Sequence, residues 1–98
     1  MTKNHKIIYK YEIHPGDITV LKIPKEAEIL HIDNQGLYPC MWILLNPEGE
    51  CVDRHFQIVC TGHKIEFTEN MVYLGTFQIC EDKFVGHVFE VLSNDEEG

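Results

Sequence analysis

The sequence predicts an all-β fold, a single antiparallel sandwich or barrel of about seven strands. Two observations predict it. Apolar residues recur with a period of two between turn signals along nearly the whole chain, and 98 residues leave room for one core. Residues 1–92 are read as one β domain. Residues 93–98, which include Asp95, Glu96 and Glu97, are read as an acidic, disordered tail.

The strands follow in order. Between Ile7 and Ile13 the apolar Ile7, Tyr9, Tyr11 and Ile13 alternate with Lys10 and Glu12, and His14-Pro15-Gly16-Asp17 turns the chain. Ile18 to Ile23 repeats the alternation until Pro24 stops it. Ile29 to Ile32 makes a third strand. After the turn chemistry of Asn34-Gln35-Gly36, Cys40 to Leu45 makes a fourth that is apolar on both faces, which places it at the centre of the fold or in an oligomer contact. Asn46-Pro47-Glu48-Gly49 reads as a hairpin into Val52 to Cys60, where Val52, Phe56, Ile58 and Cys60 share a face. Thr61 to Asn70 is the longest connection, with space for one short helical turn. Tyr73, Phe77 and Ile79 share a face of the sixth strand, Glu81 and Asp82 turn it, and Val85, His87, Phe89 and Val91 share the apolar face of the seventh. Gly75 and Gly86 sit inside these strands, where glycine marks a bulge or a close backbone approach.

Composition narrows the functions. A hydrophobic fraction of 44% with 24% charged residues is ordinary for a globular protein. Sixteen acidic against eight basic residues give a net charge of −8, a field that repels duplex nucleic acid. The apolar runs are too short for a membrane span, and the polar start leads straight into a strand, so a soluble cytoplasmic protein is expected. Cys40, Cys51, Cys60 and Cys80 are then expected as free thiols.

Few residues invite chemistry. Arg54, the only arginine, falls on the packed face of the fifth strand; either it snorkels or pairs with a carboxylate, or its planar fork meets a phosphate or carboxylate ligand. Thr61, Gly62, His63 and Lys64 place a hydroxyl, a permissive backbone, an imidazole and an ammonium together, which suits an anion. His87 is either a hydrogen-bonded core histidine or a ligand contact, and Trp42 either core or a stacking platform for a base. The spacing of cysteines and histidines matches no metal motif, and neither a phosphate-binding loop nor a dinucleotide fingerprint is present, so no metal or cofactor is expected. Cys60 and His63 look like a nucleophile and base without an orienting third group.

Tyr9-Lys10-Tyr11, Trp42, Arg54 with Phe56, Thr61-Gly62-His63, Gly75-Thr76-Phe77-Gln78 and His87-Val88-Phe89 occur in an order that resembles a family of short, mostly uncharacterised bacteriophage and prophage proteins. Cys60 stands where that family's loop begins with glycine. The resemblance implies an accessory protein acting in the host cytoplasm against defence. Its leading expected function is that of a non-enzymatic, homo-oligomeric sponge that sequesters a small nucleotide or phosphorylated signal. Arg54, Lys64 and His63 would hold phosphate, with Arg54 facing the loop of a second subunit. The alternatives are a structural or protein-interaction role without a ligand, and a small hydrolase using His63 or Cys60.

Overall fold

The computed structural model describes residues 5–16, 18–36, 38–79 and 84–92. Asp17, Cys80, the Glu81–Asp82 turn and the tail 93–98 lie outside the described residues.

Seven strands form: β1 (Ile7–Glu12), β2 (Thr19–Pro24), β3 (Glu28–Gln35), β4 (Tyr38–Leu45), β5 (Cys51–Cys60), β6 (Met71–Ile79) and β7 (Phe84–Val91). They make two antiparallel sheets, one ordered β1-β4-β3 and the other β2-β5-β7-β6. The architecture is therefore the sandwich rather than the closed barrel. The doubly apolar β4 is the middle strand of its sheet, as its lack of a polar face requires.

The core lies between the sheets. Ile32, Met41, Ile43 and Leu45 from one face Ile23, Phe56, Ile58, Phe77 and Val88 from the other, all buried. A fully buried side chain of this size contributes about 1.5–3 kcal/mol of transfer free energy. Along the seam, β3 and β6 lie side by side: the amide of Asn34, oriented by its surroundings, donates to Gln78 O (2.8 Å). A Cβ on Gly75 would come within 3.3 Å of Ile32, so the bare glycine permits that approach.

Three expectations change. The Asn46–Gly49 turn forms, with Gly49 N donating to Asn46 O (2.9 Å) and Glu48 N to Asn46 Oδ1 (3.0 Å), yet it is no hairpin. It carries the chain from β4 in one sheet to β5 in the other, because β5 finds its partner in β2, starting with Cys51 opposite Pro24. Residues 61–70 hold turns and irregular chain and no helix. Gly62 takes a φ of 90°, which an L side chain rarely adopts, and closes the turn as His63 N donates to Cys60 O (3.1 Å).

The third change concerns faces. Strict alternation puts Tyr73 with Phe77, but the register shifts between Tyr73 (opposite Phe89) and Gly75 (opposite Val88). The bulge leaves Tyr73 exposed and Phe77 buried. On β7 the buried residues are Gly86, Val88 and Glu90, whereas Val85, His87, Phe89 and Val91 are half-buried and look away from the core. The aromatic row of β7 is thus an outer surface.

Candidate functional site

That outer surface becomes a cleft because the 61–70 connection folds back over it. The cleft is about 310 Å³, lined by the end of β5 (Val59, Cys60), by Thr61, Gly62, His63, Ile65 and Phe67 of the connection, and by Tyr73, His87 and Phe89. Pairing of Val59 with His87 and of Tyr73 with Phe89 sets these side chains across from one another. Phe89 is flanked edge-to-face by Phe67 (centroids 6.0 Å, 73°) and Tyr73 (5.7 Å, 64°).

A polar line runs through the apolar lining. Thr61 Oγ1 lies 2.6 Å from His87 Nε2, His87 Nδ1 lies 3.0 Å from Thr76 Oγ1, and that hydroxyl lies 2.5 Å from the Tyr73 hydroxyl. Both imidazole nitrogens are held, so ring orientation is set from β6 and the 61–70 connection. A neutral imidazole donates from one nitrogen and accepts at the other, so the direction of this line is coupled from Thr61 to Tyr73. Among the described residues the partners of His87 are these two threonine hydroxyls and no carboxylate.

Of the residues singled out from sequence, Thr61, Gly62, His63 and His87 come together here. Lys64 is exposed on the same connection, outside the lining. Trp42 lies on the other sheet, half-buried beside His31 (5.8 Å) on the outer face of β4, away from the cleft and from the core alike.

Arg54 is also elsewhere. Its Nε and Nη2 donate to Glu90 Oε2 (2.7 Å) and Oε1 (2.8 Å), and Nη1 donates to Ala27 O (2.8 Å). The side chains are 15% and 9% exposed, so the fork is consumed inside the sandwich rather than offered at a mouth. The shared site of Arg54 with the 61–64 loop is accordingly not assembled within the chain. The carboxylate that binds Arg54 was legible in the sequence: Glu90 alternates with Val88 and Gly86 just as Arg54 alternates with Phe56 and Ile58. Tyr73, Thr76, Phe67 and Phe89 are the site residues that sequence reasoning left aside, since the bulge and the fold-back of the loop bring them in.

Cys60 lines the cleft, and no hydrogen bond joins it to His63 through the side chains; the imidazole that meets a hydroxyl is His87. Cys40, Cys51 and Cys60 are free thiols. Among the described residues no three or more His, Cys, Asp or Glu side chains are placed to share a metal ion. No helix among them is long and apolar enough to cross a membrane.

A family model described as a domain of unknown function, DUF7352, matches residues 4–98. The chain belongs to this family. The match takes in both sheets and every cleft residue, so the cleft is part of the family's domain and not an appendage to it. No curated protein and no solved structure matches the chain.

Proposed function

We propose that this DUF7352 chain is a non-enzymatic binding module that holds a small planar ligand in the cleft beneath the 61–70 connection, with the base of a nucleotide as the ligand class. One observation carries the reading: an apolar, aromatic cleft of about 310 Å³ contains a single oriented hydrogen-bonding line, Thr61–His87–Thr76–Tyr73. Apolar walls with a few convergent polar groups are the usual make-up of a small-molecule site. Phe67, Phe89 and Tyr73 supply faces and edges for stacking, and the Thr61 hydroxyl, fixed by its bond to His87, keeps a further hydrogen-bonding position for a heterocycle edge.

His63 and Lys64 at the rim remain available for phosphate, whereas Arg54 is spent on Glu90. The phosphate half of the ligand therefore rests on that rim alone. The resemblance to small phage proteins supports testing nucleotide defence signals first, as a sponge that sequesters without hydrolysing them.

The test is calorimetry with a panel of nucleobases, nucleosides, mononucleotides and cyclic oligonucleotides, repeated on Phe67→Ala and His87→Gln. Phe67 is 63% exposed, so its removal should leave the fold unchanged while lowering affinity. Absence of binding across the panel, or equal binding by both variants, would overturn the reading. Turnover of a bound nucleotide would favour the hydrolase alternative, with Thr61 and His87 in place of Cys60 and His63.

A further inference from the structure

β1 ends the order β1-β4-β3, and among the described residues it is hydrogen-bonded on one side only, to β4. An unpaired edge presents a row of free N–H and C=O groups that joins another strand unless charge, proline, a bulge or a covering segment guards it. The other terminal strands are guarded. β2 is closed at its end by Pro24, while β3 and β6 lie against each other through Asn34 and Gln78. β1 has no proline and an unbroken register with β4. Its apolar Ile7, Ile8 and Tyr9 are 39%, 52% and 47% exposed.

Lys10 would be the natural guard. Its ammonium instead donates to Gln35 Oε1 (2.6 Å) on β3, the strand beyond β4, and so turns away from the free edge.

We propose that a second copy of this chain pairs antiparallel with β1, joining two three-stranded sheets into one continuous sheet. Axes at Tyr9 and Lys10 bring the longest part of β1 into pairing, and charge separates these two. For both sandwiches to lie on the same side of the joined sheet, opposed residues must share a face, so the twofold axis must fall on a residue of β1. An axis at Lys10 opposes Lys10 to itself, and an axis at Ile8 opposes Lys6 to Lys10; both set like charges together. An axis at Tyr9 opposes Lys6 to Glu12 twice, Ile7 to Tyr11 twice and Tyr9 to itself. Tyr9 already meets Tyr11 edge-to-face at 6.4 Å, so this register extends an aromatic row across the twofold axis. Among the described residues Glu12 holds only the exposed His14 (3.3 Å), and it can accept from Lys6 of the second copy.

The contact is short, so it falls at the low end of interface sizes and is expected to have a dissociation constant of about 1–100 µM. Sedimentation from about 1 µM to 1 mM should show a reversible monomer–dimer equilibrium. Lys6→Glu and Glu12→Lys should each raise the dissociation constant by about tenfold, since each spoils two symmetry-related pairs. The double variant Lys6→Glu with Glu12→Lys should restore it, all at unchanged melting temperature. A monomer throughout that range, a dimer indifferent to the single reversals, or failure of the double variant to recover would overturn the proposal. The cleft belongs to the other sheet, so this outcome is independent of ligand binding.

Discussion

Arg54 and Glu90 form a two-pronged ion pair in the interior of the sandwich, with nitrogen–oxygen distances of 2.7 and 2.8 Å. The third contact, from Arg54 Nη1 to Ala27 O at 2.8 Å, ties this pair to the connection that leads from β2 into β3 and hence to the other sheet. Removing one member leaves the other buried and unpaired. Arg54→Ala and Glu90→Gln should therefore each cost about 3 kcal/mol by urea unfolding, whereas replacing both by apolar residues of similar volume should cost much less. A loss under about 0.5 kcal/mol for Arg54→Ala would mean that the pair is as solvent-screened as a surface bridge.

Gly86 and Phe77 sit opposite each other in the β6–β7 ladder, and the ring occupies the space where a Cβ would be. An ideal Cβ on Gly86 would lie 2.5 Å from Phe77 Cζ and 3.1 Å from Ile58 Cγ2, and Phe77 is 2% exposed with nowhere to retreat. Gly86→Ala should destabilise the fold by about 1–3 kcal/mol through overpacking. Adding Phe77→Leu should recover part of that loss in the same unfolding experiment, because it removes the atoms that clash.

Thr61 and Thr76 hold the two nitrogens of His87 from opposite sides, and both threonines are exposed. Thr61→Val and Thr76→Val should change stability by less than about 1 kcal/mol, since water can replace the lost partner. Affinity for a cleft ligand should fall by about tenfold in each, because the imidazole is no longer held in one tautomer and orientation. Calorimetry beside thermal melting separates the two effects.

The thiols should differ in reactivity. Cys51 is exposed, Cys60 lines the cleft and Cys40 is buried at 1% exposure, where burial pushes its thiol pKa up, and Glu12 adds to this against the opposing pull of Lys10. Site-resolved alkylation should label Cys51 fast, Cys60 more slowly and less with ligand present, and Cys40 only on unfolding. Because the folded chain favours the protonated thiol at Cys40, the unfolded chain binds fewer protons above the ordinary thiol pKa of about 8.5, and stability must fall as pH rises past it. Tyr11, raised by burial and then by Tyr9 and Cys51, adds a second loss of the same sign at higher pH. Cys40→Ala should flatten the first part of that alkaline decline in melting temperature.

The strands could be read from the chain because alternation, Pro24, and the turn residues around Gly16, Gly36 and Gly49 act over a few neighbours; each expected strand occurs, with no end shifted by more than three residues. Thr61, Gly62 and His63 stood out for the same local reason, and they line the cleft because they follow directly on the end of β5. What a strand pairs with is a long-range matter. The turn at Asn46–Gly49 has hairpin chemistry, but β5 gains more by pairing with β2 and β7 in the facing sheet, so the same turn becomes a bridge between layers. Arg54 and Glu90 are 36 residues apart and meet only because β5 and β7 are neighbours. Phe89 and His87 read as core by their apolar row, and only the close packing of Phe77 on Gly86 shows which face of β7 is inside. One bulged residue before Gly75 then turns Tyr73 outward to join them, since a strand's faces alternate by single residues and an insertion of one exchanges them.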